Sequence, residues 1–175
     1  WGAYVCLRDA QTGEVWSAGY QPSGVEADAY EVRFSEDRAE IHRQDGTIAT
    51  ILEVAVSPED DAEVRRVSLS NLGTRVRDID LTSYAELVLA PYAADVAHPV
   101  FSKLFVHTEV DEHTGALLAT RRRRSPDEPE VWAAHVAVVE GEVIGDLELE
   151  TDRARFLGRG REIRTAIAVM DGHPL

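Results

Sequence analysis

Four consecutive arginines, Arg121-Arg122-Arg123-Arg124, are the most unusual chemistry-bearing run in the chain. A guanidinium pairs bidentately with carboxylate or phosphate and donates to sugar hydroxyls. On an extended strand alternate side chains point to opposite faces, so at most two of the four serve one site. Three readings stand: a solvated strand end balancing the acidic loop Ser125-Pro126-Asp127-Glu128-Pro129-Glu130, contact with an anion or a sugar, or contact with nucleic acid. Trp16, Tyr20, Tyr84, Tyr92 and Trp132 are the rings that could stack on a sugar. Aromatic rings in strands more often fill a core. Trp132 is expected there, whereas Trp16, which precedes the loop at 17–23, is open to either role. The candidate substrate-contacting residues are therefore Arg122, Arg123, Arg124 and Trp16.

The other constellations are weaker. His107, Glu109 and Asp111 alternate with period two and can share a sheet face, with His113 nearby. A zinc site asks for a fuller set of Cys or His ligands, so a polar edge is the expected role. Asp78 and Asp80 with Glu86 could form a carboxylate pair of the kind glycoside chemistry uses, but an acid-rich chain produces such pairs by chance. No glycine-rich phosphate loop, nucleophile elbow or paired-cysteine motif is present. Phe156-Leu157-Gly158-Arg159 lacks the lysine and serine of a nucleotide loop, and its glycine suits a turn with positive φ. The single cysteine, Cys6, lies in the apolar run Ala3-Tyr4-Val5-Cys6-Leu7 and is expected to be buried rather than reactive. No catalytic residue, metal ligand or cofactor is expected.

These residues must be positioned by strands. Period-two alternation predicts strands at 30–35, 48–56, 64–70, 131–139 and 143–150, with a last one through Ile163, Ile167 and Val169. In 131–139 both faces are largely apolar, as in a strand buried between layers. Thr12-Gly13, Asp45-Gly46, Leu72-Gly73, Thr114-Gly115 and Glu140-Gly141 punctuate the apolar runs and suit tight turns. About ten strands joined by short turns make a large antiparallel sandwich. Ala85 to Ala97 is helical by composition but broken by Pro91. The 175 residues fit one domain. With 18 basic and 32 acidic residues the net charge is −14, which repels nucleic acid and anionic membrane. No apolar run approaches a membrane span. One cysteine rules out a disulfide-stapled scaffold and fits either a reduced cytoplasmic setting or a disulfide-free exported protein. Both ends read as cut from a longer protein.

Six segments in register resemble a known family. They are Leu7-Arg8-Asp9 with Val15-Trp16-Ser17; Val67-Ser68-Leu69-Ser70-Asn71; Tyr84-Ala85-Glu86; His98-Pro99-Val100-Phe101-Ser102-Lys103-Leu104-Phe105; Ala119-Thr120-Arg121-Arg122; and Phe156-Leu157-Gly158-Arg159. In this order the chain resembles the amino-terminal β-sandwich of glycoside hydrolase family 94, formerly glycosyltransferase family 36. Within it the chain is most similar to the carboxyl-terminal phosphorylase-like region of cyclic β-1,2-glucan synthases. The resemblance implies an all-β supersandwich of the galactose mutarotase-like type, here truncated at both ends. It implies a non-catalytic domain that packs on a separate (α/α)6 barrel. The barrel would carry out inverting phosphorolysis of β-glucosides, and the chain itself would not be an enzyme. The implied partners are a β-glucan or gluco-oligosaccharide, the barrel of the same parent chain and a second copy of the chain. Neither nucleic acid nor direct membrane contact is implied. The implied location is cytoplasmic, within an inner-membrane parent. Some members bring a sandwich-loop arginine to the sugar site, and Arg123 or Arg124 is the nearest match. An independent carbohydrate-binding module and a ligand-free dimerisation scaffold are the alternatives.

Overall fold

A computed structural model describes residues 2–97, 103–123 and 125–172. Most of the run from His98 to Phe105, and Arg124, lie outside these residues. The described chain forms two compact units, one from residues 1–85 with 152–175 and one from 86–151. Every strand pairing is antiparallel.

The first unit contains seven strands: β1 (Ala3–Asp9), β2 (Val15–Ser17), β3 (Ala29–Phe34), β4 (Arg38–Asp45), β5 (Ile48–Val56), β6 (Glu63–Asn71) and β7 (Ile79–Ala85). They make a three-stranded sheet, β2-β1-β7, and a four-stranded sheet, β3-β4-β5-β6. The predicted strand at 48–56 matches β5, and those at 30–35 and 64–70 match β3 and β6 within one residue at each end. The predicted Asp45-Gly46 turn joins β4 to β5, with Asp45 paired to Ile48. Gly46 has φ +56°, the sign a two-residue hairpin of type II′ needs at its first central residue.

β1 explains why its run is apolar at successive positions. Val5 and Leu7 face the four-stranded sheet and pack with Trp16, Ala18, Ile48 and Leu52. Cys6 faces the other way, into a second cluster with Phe156, Leu157, Ala166 and Val169. Short helical pieces supply that second cover: α2 (Arg153–Leu157), a 3-10 turn (Ile163–Thr165) and α3 (Ile167–Met170). The predicted last strand through Ile163, Ile167 and Val169 is therefore helical. Its apolar residues also recur at helical spacing (Ile163, Ala166, Ile167, Met170), and packing on β1 selects that period. Asp152 caps α2 by accepting from the Ala154 and Arg155 N–H groups at 2.8 and 3.3 Å. Gly158 ends it at φ +83°, where a Cβ would sit 3.1 Å from Ile167. The turn expected at Phe156-Leu157-Gly158 is thus both a packing element and a helix end.

Two arginines fasten this unit. Arg77 pairs with Asp9, which is fully buried at the end of β1. The Asp9 carboxylate also accepts from the Gln11 and Thr12 N–H groups at 2.8 and 3.0 Å, fixing the β1–β2 turn. Burial alone would push this carboxyl up. Arg77 and the two backbone donors outweigh that and hold it below its ordinary value of 3.8. Arg43, on the inner face of β4, donates to both oxygens of Asp45 and to the carbonyls of Gly19 and Val25 at 2.6 to 3.0 Å. It ties the loop after β2 to the sheet.

The second unit contains α1 (Tyr92–Ala97), β8 (Val106–Asp111), β9 (Ala116–Arg121) and β10 (Trp132–His135), the strands in the order β10-β9-β8. The helix predicted across 85–97 forms only after Pro91, which suits a first helical turn and not an interior one. The predicted strand at 131–139 shrinks to 132–135, and 143–150 forms no strand. Trp132, expected in the core, is 52% exposed, and Val138 is 83% exposed. Alternation records which side chains favour burial. It does not supply the neighbouring strand, and among the described residues none pairs with 136–139 or 143–150.

Candidate functional site

The β8–β9 hairpin of the second unit brings the sequence-predicted arginines onto a defined frame. Its turn is fixed by Asp111, whose carboxylate accepts from the Thr114 hydroxyl at 2.6 Å and the His113 N–H at 3.0 Å. These bonds, the Thr114 hydroxyl first, lower the Asp111 pKa. Gly115 takes φ +69° and donates to the Asp111 carbonyl at 2.8 Å. The hairpin register then sets His107 opposite Thr120, and β10 sets Trp132 opposite Thr120.

His107, Thr120 and Trp132 therefore form one row across three strands, on one face of the sheet. Directly opposed side chains of this kind have Cβ atoms about 5 Å apart. The Thr120 hydroxyl donates to the Val131 carbonyl at 3.1 Å, tying β9 to the entry of β10. Beyond Arg121 the ladder continues for one more bond, from the Arg122 N–H to the Phe105 carbonyl at 2.9 Å. Alternation places the Arg122 side chain on the Thr120 face and Arg121 on the other.

The arginine run divides as its period requires. Arg121 lies with its guanidinium 5.6 Å from the centre of the Phe105 ring and donates to the Val88 carbonyl at 3.3 Å. Arg122 and Arg123 are exposed, and among the described residues neither guanidinium is in an ion pair. Arg124 is outside the described residues. Trp16 is not part of this surface. It is 4% exposed, with its indole in the core of the first unit, and presents no stacking face to solvent. Trp132 was missed as a site residue because its flanks are apolar. The cue was the β9–β10 register, which single-strand alternation does not contain.

The face can do recognition chemistry. A half-exposed indole stacks on the apolar face of a pyranose, and imidazole, hydroxyl and guanidinium groups bond ring hydroxyls. Acid–base catalysis has less to work with. Asp80 pairs with Arg8 at 2.9 Å, and Glu86 pairs with Lys103. Glu109 lies next along the face from His107, opposite Leu118, with no second carboxylate in its row. Among the described residues no group of three or more His, Cys, Asp or Glu side chains is placed to hold a metal. Asp95 is 2% exposed on α1, with neither carboxylate oxygen hydrogen-bonded to a described residue. Cys6 is buried, and burial pushes its thiol up to about 11 against a smaller lowering by the Ser17 hydroxyl, so thiolate chemistry is suppressed. Among the described residues no helix is long and apolar enough to cross a membrane.

Sequence comparison agrees with this architecture. The family model for the glycosyl hydrolase 94 supersandwich domain matches residues 1–175. The chain belongs to that family. It is 41% identical to the cyclic beta-(1,2)-glucan synthase NdvB of Rhizobium meliloti (strain 1021), over 99% of this chain and 6% of the relative. It is 34% identical to a solabiose phosphorylase of Paenibacillus borealis, over 51% of this chain and 12% of the relative. It is 30% identical to an N,N'-diacetylchitobiose phosphorylase of Vibrio furnissii, over 54% of this chain and 12% of the relative. The chain spans a small fraction of the length of these relatives. The glycosyl hydrolase 94 supersandwich domain is thus an all-β domain of mostly antiparallel sheets with a few short helices.

Proposed function

We propose that this supersandwich domain is a non-catalytic support for a glucan phosphorylase or cyclic β-1,2-glucan synthase. It packs on a catalytic (α/α)6 barrel elsewhere in the parent protein and lines one wall of its sugar site. In inverting phosphorolysis an acid protonates the glycosidic oxygen while phosphate attacks the anomeric carbon from the opposite face, releasing α-glucose 1-phosphate. That chemistry asks for a positioned acid and a phosphate pocket. On this reading the barrel supplies both. The same reading places the domain in the cytoplasm, as part of an inner-membrane parent.

The carrying observation is the exposed apolar segment of the second unit. Val136, Val138, Val139, Val143, Ile144 and Leu147 all face solvent. Six large aliphatic side chains within twelve residues are characteristic of a surface that another body covers. Hydrogen exchange tests this. Amides 136–147 should exchange nearly unprotected in the chain alone and at least about a hundredfold more slowly in the full-length parent. Equal rates in both would remove the packing role.

A second reading, a carbohydrate-binding module in its own right, is favoured by the row His107–Thr120–Trp132 with Arg122 beside it. Titration of the chain with β-1,2- and β-1,4-gluco-oligosaccharides, followed by tryptophan fluorescence and calorimetry, separates the two. Saturable binding weakened about tenfold or more by Trp132→Ala supports the module. Silence up to millimolar sugar leaves recognition to the barrel.

A further inference from the structure

The open edge of the four-stranded sheet has a residue pattern that is complementary to itself. Among the described residues β3 pairs with β4 alone, and all six of its residues are exposed. Tyr30, Val32 and Phe34 are on the same sheet face as Ile41 and Leu52, which belong to or pack on the first unit's core. The core face therefore continues outward as an uncovered apolar stripe, ending at Phe34, which is 83% exposed. Glu31 and Arg33 occupy the opposite face, where they form a bidentate pair at 2.8 and 3.0 Å.

The backbone at this edge is also poised for pairing. The Ser35 N–H donates to the Arg38 carbonyl at 2.9 Å. With alternation along the ladder, Glu31 and Arg33 then bond toward β4, and Tyr30, Val32 and Phe34 present their N–H and C=O groups outward.

We infer that β3 is a self-association edge, on which a second copy of this chain pairs antiparallel about a two-fold axis through Val32. In that register Val32 faces Val32 of the partner subunit. Tyr30 faces Phe34 of the partner subunit, joining two aromatic rings on the inner face. Glu31 faces Arg33 of the partner subunit, twice, on the outer face. Val32 forms the hydrogen-bonded pair at the centre. Glu31 and Arg33 fall in the closer, non-hydrogen-bonded rows, with Cα atoms about 4.5 Å apart. The two four-stranded sheets become one sheet of eight, and the two apolar stripes merge. A shift of one residue would break every one of these matches, because it turns each strand's apolar face to the other side.

Two copies that each carry −14 repel. At about 0.15 M salt the screening length is about 8 Å, so distant charges fade while the two contact pairs remain. A six-residue edge buries less than the roughly 1,600 Å² of a standard interface. The dimer is accordingly weak, with Kd on the order of 100 µM. This inference deepens the support-domain reading by naming one partner and the strand that meets it.

Sedimentation equilibrium of the chain from about 5 to 500 µM, at about 0.15 M salt, tests it. The unaltered chain should pass from monomer to dimer. Arg33→Glu sets acid against acid and Glu31→Arg sets base against base, and each alone should weaken self-association about tenfold or more. An equimolar mixture of the two variants should dimerise again, as should the double swap Glu31→Arg/Arg33→Glu. Both positions are exposed, so circular dichroism and the urea midpoint should stay unchanged. A chain that stays monomeric overturns the inference. So do single variants that associate like the unaltered chain, or a mixture no stronger than its parts. Protection of the β3 edge only in the full-length parent, with the chain itself monomeric, would give the edge to a parent strand and also overturn it. None of these results bears on exchange at 136–147, so either idea can fail without the other.

Discussion

The two units use similar antiparallel ladders with opposite success at burial. In the first, β1 is covered on both faces: Leu7 is fully buried toward one sheet, and Cys6 is buried toward α2 and α3. In the second, β8, β9 and β10 bury Ala116 and Ala119 but leave Trp132, Val136 and Val138 in solvent. Backbone pairing alone therefore does not close a core. A sheet needs a second layer, and the short elements at 153–170 supply one to the first unit. The first unit closes cores of its own, and the second leaves a run of large apolar side chains exposed.

The largest effects should separate the units by position in the core. Leu7→Ala removes a side chain with no exposed surface and should cost about 2 to 5 kcal/mol. Val138→Ala should change stability by no more than about 0.5 kcal/mol in the chain alone. Urea unfolding followed by tryptophan fluorescence reads both, since Trp16 and Trp132 report on different units. Equal losses would break the contrast and would mean that Val138 packs in solution.

Charge gives the next test, because each unit fixes a turn with an aspartate. Asp9 is buried and held by Arg77. Removing its charge with Asp9→Asn should cost about 3 to 5 kcal/mol, chiefly through the stranded guanidinium. Its lowered pKa means that the folded state binds fewer protons than the unfolded chain. The stabilisation is therefore fully present above the ordinary value of 3.8 and is lost as pH falls below it toward the folded value. The variant should lack that part of the acid dependence. Asp111 is lowered too, by the Thr114 hydroxyl and the His113 N–H, but in an exposed turn. Asp111→Asn should leave the midpoint nearly in place. A large acid shift on losing Asp111 would show the second unit's hairpin to be as tightly integrated as β1.

What could be read from sequence follows the same division. Strand β5 was legible to the residue, because one of its faces is buried by the chain itself and the turn before it carries Gly46. The burial of Cys6 was legible from neighbours that are apolar on both sides. The stretch from Ile163 to Met170 was not, since its residues satisfy two periods at once and only packing on β1 chooses between them. The candidate site was half legible. Four adjacent arginines announced themselves, and period two already implied that Arg121 and Arg122 part company. Trp132 could not be found that way, because its place beside Thr120 and His107 is set by pairing across strands. Trp16 had the composition of a sugar platform, but its position on β2 against Leu52 and Leu7 gives it to the core.

The smallest expected effect bears on the cover over Cys6. Asp152 caps α2, whose Phe156 stacks on Tyr84 with ring centres 4.9 Å apart. Asp152→Ala loses the cap and should cost about 1 kcal/mol. If the helical pieces open as a local unit, that loss raises the population of a form in which Cys6 meets solvent about fivefold. A thiol reagent at pH 8 should then label Cys6 about five times faster in the variant, with global unfolding shifted only slightly. In the unaltered chain labelling should be slow, because the buried thiol is protonated as well as covered. Unchanged labelling with lowered global stability would mean that the cover opens only when the whole first unit does. Its two cores would then be one cooperative body, and the contrast with the second unit would be sharper than the cap alone implies.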